Sequence, residues 1–178
     1  MLERFKVPIE DQVRVPHDSL HQTVAAIFEK VGVMPSDAAV GADVLVSTDL
    51  RGVETHGVSN MLRKYVQQYN EGALNARPDW RIVREAPGIA TIDADKGLAV
   101  ILGPMAMGMA IAKAKKVGVG VINMYNAGHS GAIGHHAMIA AKQDMVGVCM
   151  TAGGLLVPPT FGAEPKLGTN PIAIAAPA

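Results

Sequence analysis

Cysteine is almost absent: Cys149 is the sole thiol in 178 residues, so no disulfide can close within the chain and a reducing compartment suits it. It lies in the apolar run Val146-Gly147-Val148-Cys149-Met150, where a buried structural thiol is expected rather than a nucleophile. Charge of one sign is also lacking. Sixteen Lys plus Arg balance sixteen Asp plus Glu with no long run of either, which removes the electrostatic footprint of a nucleic-acid or anionic-membrane binder. No stretch runs about 18 apolar residues unbroken, and the start MLERFKVPIEDQVRV carries charges where a signal peptide needs an apolar core. The chain is expected to be soluble, unexported and cytoplasmic, with neither nucleic acid nor membrane as partner. Two glycine fingerprints are missing as well. No glycine cluster fits G-x-G-x-x-G or G-x-x-x-x-G-K-[ST] at a strand-to-helix turn, and Gly118-Val119-Gly120 sits inside an apolar run instead. An ordinary Rossmann or P-loop site is not supported, and there is no internal repeat or low-complexity tract.

What is present is ample apolar material, 49% of residues, enough for a sizeable core. The first third reads as helical. Leu20, Val24, Ile27, Phe28 and Val31 recur at helical spacing after Pro16, with Asp18 and Ser19 as expected caps and Gly32 as the stop. A second helix should open at Pro35 and run through Val40 and Val44 toward Asp49. A third, from about Gly57 to Gly72, carries the stripe Val58, Met61, Leu62, Tyr65, Val66 and Tyr69 opposite Arg63, Lys64, Gln67 and Gln68. From Trp80 onward short β-rich runs alternate with helices. Strands are expected at Ile89 to Asp93, Val117 to Met124, Met145 to Thr151 and Pro171 to Ala176. Helices are expected from Pro104 to Lys116, with Met105, Met109, Ile111 and Ala112 filling core, and from Ala132 to Lys142. The fold class is α/β: a helical segment, residues 1–80, followed by a mixed α/β part, residues 81–178.

Three motifs carry chemistry. In Asp49-Leu50-Arg51-Gly52-Val53-Glu54-Thr55-His56-Gly57 a fixed guanidinium stands close to a titratable imidazole. Arg51 can hold a carboxylate with two parallel N–H···O bonds, and His56, at the positive end of the third helix, can exchange a proton near neutrality. The pair suits a carboxylate with a neighbouring carbonyl or hydroxyl, although a solvated charge and a helix-start imidazole is the plainer alternative. Asn126-Ala127-Gly128-His129-Ser130-Gly131-Ala132 follows an expected strand and leads into a helix, a place where backbone N–H groups can receive a polar ligand. Gly168-Thr169-Asn170-Pro171 opens the last strand with short donors and close backbone, or else is simply a tight turn. Two rival readings differ in class. His129, His135 and His136 would be the ligands of a metal-binding module, yet adjacent His135 and His136 point about 100° apart on a helix and fit one ion poorly. The stripe from Val58 to Tyr69 would otherwise serve a non-catalytic oligomerisation module.

DLRGVETHGV, NAGHSGAIGHH and PTFGAEPKLGTNPIAIAAPA, in this order and at this spacing, resemble the malate/L-lactate dehydrogenase family, which also contains sulfolactate, ureidoglycolate and diketogulonate-type oxidoreductases. The resemblance runs from about Val15 to the C-terminus. It implies hydride transfer between NAD or NADP and a 2-oxoacid or 2-hydroxyacid, on a mixed α/β dinucleotide-binding fold distinct from the Rossmann domain, in a homodimer or larger homo-oligomer. No metal is expected. In the family the residue matched by His56 is the catalytic acid/base; Arg51 matches the arginine on the substrate carboxylate, with Thr55 and His129 also matched to the substrate side. Gly168, Thr169, Asn170 and Pro171 match a turn that contacts the dinucleotide. Two positions depart: Thr55 stands where relatives commonly have Ser, which keeps the hydroxyl, and Ala152 stands where they commonly have Asn, which loses an amide. Family members are about twice as long, so the chain resembles the N-terminal half of such an enzyme and, alone, is expected to bind dinucleotide weakly. The side group of the substrate and the choice of NAD or NADP are not legible.

Overall fold

The computed structural model describes residues 8–178. Three helices come first: α1 (His17–Lys30), α2 (Pro35–Leu50) and α3 (Arg63–Asn70). Strands β1 (Arg81–Ala86) and β2 (Ile89–Asp93), helix α4 (Ala99–Val117), strand β3 (Val121–Tyr125), helix α5 (Gly134–Ala141) and strands β4 (Gly147–Met150) and β5 (Ile172–Ala175) complete the order. The expected α/β class with a helical start is what is found, and among the described residues no helix is long and apolar enough to cross a membrane.

Helix α2 forms the centre. Val44, Leu45 and Val46 are consecutive and all buried, so the helix has apolar neighbours on nearly every side, as a helix that is apolar all round should. α1 and α4 both pack on it. Phe28 of α1 meets Tyr69 of α3 edge-to-face with ring centroids 6.4 Å apart, a favoured aromatic geometry. The α3 stripe is consumed here: Met61, Leu62, Tyr65 and Tyr69 belong to the same buried cluster as Val24, Phe28 and Leu45. The stripe therefore faces the chain's own core, which removes the basis for reading it as an oligomerisation surface.

Beyond the helices, β1 pairs antiparallel with β2, and β2 parallel with β3 across the α4 crossover. Only Ala90 and Ile92 of β2 are buried, the alternation expected of a strand with one covered face. A separate antiparallel pair, β4 and β5, aligns Val148 with Ile174 and Met150 with Ile172. α5 packs against both strands, but all four of those bulky residues are exposed, while Cys149, Ala173 and Ala175 are half-buried. The small side chains thus take the covered face and the large ones the open face. Burial pushes the Cys149 thiol up, which disfavours the nucleophilic thiolate.

Several local expectations are corrected. Neither Asp18 nor Ser19 caps α1; Pro16 holds that position without a side-chain hydrogen bond, and Asp18 inside the first turn bonds His17 Nδ1 at 2.8 Å instead. α4 begins at Ala99 and carries Pro104 inside it. The missing proline N–H is outweighed by burial of Ala99, Val100, Ile101 and Leu102 just ahead of it. Ala112, expected in that helix's core face, is exposed, and Ala106 and Ala110 take the buried positions. The third helix is not regular from its start, for Val58–Leu62 form one π-helical turn before α3. Such turns widen a helix by one residue and often lie beside functional groups.

Candidate active site

The site is assembled where the end of α2, the start of the third helical segment and the loop after β3 converge. Chain leaving α2 passes through Arg51 and Gly52, forms a short 3-10 turn at Glu54–His56, and enters the π-helical turn at Val58. Asp49 fixes this path. Its Oδ2 accepts the Val58 N–H at 2.9 Å, capping the new helical segment from nine residues upstream. Gly57 is required at the crossing, since a Cβ there would collide with the Asp49 carboxylate. Burial raises the Asp49 pKa, the Val58 N–H opposes that, and Glu54 adds to it.

His56 is half-buried, with Nδ1 2.9 Å from the Thr55 hydroxyl. Against it, at a ring-centroid distance of 5.5 Å and 21° between planes, lies His129 from the loop after β3. Tyr65 comes from the other side: its ring is fully buried and its hydroxyl is 2.7 Å from His129 Nδ1. The Gly131 N–H donates to the same nitrogen at 3.2 Å. Desolvation, together with the charges of His56 and Lys64, lowers the His129 pKa, while burial raises that of Tyr65 and keeps its hydroxyl protonated. Arg51 is exposed and forms none of the ion pairs among the described residues. Its charge reaches His135, whose pKa is lowered chiefly by desolvation and further by Lys142 and Arg51, against an opposing pull from Asp43.

The other histidines do structural work. His135 Nδ1 lies 2.9 Å from the Ser47 hydroxyl, joining α5 to α2. His136 is buried, donates from Nε2 to the Ser130 carbonyl at 3.0 Å and packs flat on Gly103. Its Nδ1 has no partner, and desolvation pushes its pKa down to about 4. The two rings stand nearly perpendicular, at 82°, and among the described residues no group of three His, Cys, Asp or Glu is arranged to hold a metal ion.

The Gly168 to Pro171 turn lies elsewhere on the surface but is tied back to the His129 loop. Gly153 N–H donates to Asn170 Oδ1 at 3.0 Å and Thr151 N–H to the Pro171 carbonyl at 3.3 Å. The Ser130 hydroxyl reaches Thr151 Oγ1 at 3.4 Å. Two glycine turns, Gly153-Gly154 and Gly168, are thus laid side by side: a Cβ on Gly168 would strike the Gly153 carbonyl, whereas Gly154 faces open space. The two turns present backbone without Cβ atoms beside the Thr169 hydroxyl and the Asn170 amide. Sequence reasoning had not singled out Asp49 or Tyr65. The available signal for Tyr65 was chemical: a tyrosine in a buried stripe needs a partner for its hydroxyl.

Comparison with known proteins bears on all of this. The family model described as malate/L-lactate dehydrogenase matches residues 15–178. The malate dehydrogenase of Pyrococcus horikoshii is 45% identical over 168 residues, which is 94% of this chain and 46% of the relative. Its solved structure superposes with a TM-score of 0.90, covering 93% of this chain and 47% of that one. The sulfolactate dehydrogenase structure from Methanocaldococcus jannaschii follows at 39% identity and a TM-score of 0.85, covering 91% of this chain and 47% of that one. Ureidoglycolate dehydrogenase (NAD(+)) of Escherichia coli K12 is 33% identical over 165 residues, 93% of this chain and 47% of the relative. The chain spans about half the length of the curated relatives it matches.

Proposed function

The chain belongs to the malate/L-lactate dehydrogenase family, and on that premise we propose that it forms the substrate-recognising part of an NAD- or NADP-dependent 2-hydroxyacid dehydrogenase. The single observation that carries the proposal is the pairing of His56 with His129 at 5.5 Å, which puts two imidazoles from distant segments side by side, one of them five residues after Arg51 in the sequence. Arg51 would take the substrate carboxylate through its two-pronged donor face. His56 would give a proton to the 2-oxygen in reduction and remove it in oxidation. Thr55 would orient His56 through the Nδ1 contact. Gly168, Thr169, Asn170 and Pro171 would hold the dinucleotide, which when bound exchanges the hydride with the 2-carbon. We assign residues 1–80 to the substrate side and 81–178 to the cofactor side. A cytoplasmic homodimer or larger homo-oligomer acting on a malate- or lactate-like acid completes the reading, supported by relatives named for malate, sulfolactate and ureidoglycolate.

The test is reduction of a panel of 2-oxoacids with NADH and NADPH, by this chain alone and joined to the remaining half of the P. horikoshii relative. The joined protein should turn over and the chain alone only slowly. Reduction needs the His56 imidazolium and oxidation the neutral ring, so the two directions should show opposite pH limbs, and His56→Asn should abolish both with a loss of about 10² to 10⁴ in kcat. Arg51→Lys should lower kcat/KM by roughly ten- to several-hundredfold, chiefly through KM. A joined protein that reduces no 2-oxoacid, or a His56→Asn variant with parental kcat, refutes the assignment.

A further inference from the structure

We propose that Tyr65 is a positioning residue that, together with the Gly131 N–H, holds His129 as its neutral Nε2–H tautomer, so that His129 acts as a hydrogen-bond donor to the substrate's 2-oxygen while His56 alone carries the transferred proton. The inference rests on the hydroxyacid reading above for its substrate, but its first step concerns only this chain. A backbone N–H can only donate. Because the Gly131 N–H points at His129 Nδ1 at 3.2 Å, that nitrogen has to be an acceptor, and the ring proton of the neutral form sits on Nε2. The Tyr65 hydroxyl, 2.7 Å from the same nitrogen and kept protonated by its burial, is then a second donor to it.

Two donors on Nδ1 do more than choose a tautomer. Protonating that nitrogen would set an N–H against the Gly131 N–H and strip the amide of its acceptor, an unfavourable arrangement for a sheltered polar group. The charged surroundings act in the same direction: His56 from the 3-10 turn after α2 and Lys64 from α3 both oppose a cation on His129. Among the described residues Nε2 has no partner within the protein, so it is the ring's one donor free for a ligand.

His56 is held differently. Its Nδ1 faces the Thr55 hydroxyl at 2.9 Å, and a hydroxyl can donate or accept, so that contact survives in both the neutral and the protonated ring. One imidazole of the stacked pair is locked and the other is free to cycle. Two cations at this separation would repel, and a His129 kept neutral lets its neighbour bind a proton without that penalty. The division of labour follows from what each Nδ1 touches: an obligate donor in one case, a two-way hydroxyl in the other.

The experiment is long-range ¹H–¹⁵N correlation of uniformly ¹⁵N-labelled full chain through a pH titration. His129 should appear as a single Nε2–H tautomer that titrates below the ordinary imidazole range. Tyr65→Phe leaves the Gly131 N–H on Nδ1, so it should keep the Nε2–H tautomer and raise the His129 midpoint by about one pH unit. Fluorotyrosine incorporation, which retains the ring and strengthens the hydroxyl as donor, should lower the midpoint, and it serves as the second arm if Tyr65→Phe does not fold. An Nδ1–H tautomer in the parent overturns the proposal, as does a His129 titration that responds to neither change. Added oxamate, a carboxylate with an adjacent carbonyl, separates this proposal from the reading beneath it. Oxamate should shift Arg51, His56 and His129 Nε2; a shift of Arg51 and His56 without His129 Nε2 overturns the donor role alone. No shift of any of the three, in the joined protein with NADH as well as in the chain alone, overturns the hydroxyacid reading and leaves the tautomer result standing.

Discussion

The helical region α1 to α3 and the strand pair β4 and β5 draw on similar apolar residue types and use them in opposite ways. In the helices Phe28, Leu45 and Tyr65 are fully buried; in the strand pair Met150 is 67% exposed, Ile172 65% and Ile174 70%. The difference lies in how many elements surround each. α2 has α1 on one side, α4 on another and the third helical segment at its end, whereas the strand pair has α5 on one face only. Hydrophobicity thus measures how much surface seeks cover, and topology decides whether cover arrives.

The largest break in this comparison should come from Phe28→Ala. The ring is fully buried and lies against Tyr69 and the backbone of Gly41, so truncation should cost about 3 to 5 kcal/mol. Chemical denaturation measures it, and a loss below about 1 kcal/mol would show that the helical core is loosely packed and that the contrast is smaller than drawn.

A smaller break lies between the two regions, at His136 on α5. Its folded-state pKa is pushed down to about 4 from 6.5 by burial, so the unfolded chain binds the proton more readily. The stability this neutral ring contributes is fully present above pH 6.5 and is lost as pH falls toward 4, a difference of order 3 kcal/mol. His129 and His135, also shifted downward, act in the same direction. Melting temperature followed across that interval should fall steadily; a flat profile, or a His136 resonance that titrates like a free imidazole, would contradict the buried, neutral assignment.

The smallest effect is expected on the open strand face. Ile174→Ser removes an exposed side chain and should change stability by no more than about 0.5 kcal/mol. A much larger loss that grew with protein concentration would instead show that a second copy covers the face, and the contrast between the regions would then be one of isolated chains only.

Much of the fold was legible from periodicity. α2 began at Pro35 as its N1 preference demands, and β2 occupied Ile89 to Asp93 as its β-branched run indicated. The errors fell where tertiary burial outweighed local preference: Pro104 reads as a helix start, yet four buried residues ahead of it extend α4 backwards. The site divides along the same line. Arg51 and His56 share one short segment and one local chemistry, so sequence could nominate them together, and the glycines of the last turn announced close backbone contact.

Residue types and spacing by themselves determined the alternation of helices and strands, the lack of a basic footprint, and the set of groups able to handle a carboxylate and a proton. These properties are local: they depend on side-chain chemistry and on helical or extended repeats within a few residues. Only the tertiary structure brought His129 onto His56, set Tyr65 and the Gly131 N–H on one ring nitrogen, and left one histidine of α5 buried and neutral. A tautomer or a shifted pKa is settled by neighbours distant along the chain and by how much water they exclude, and packing, not sequence order, specifies both.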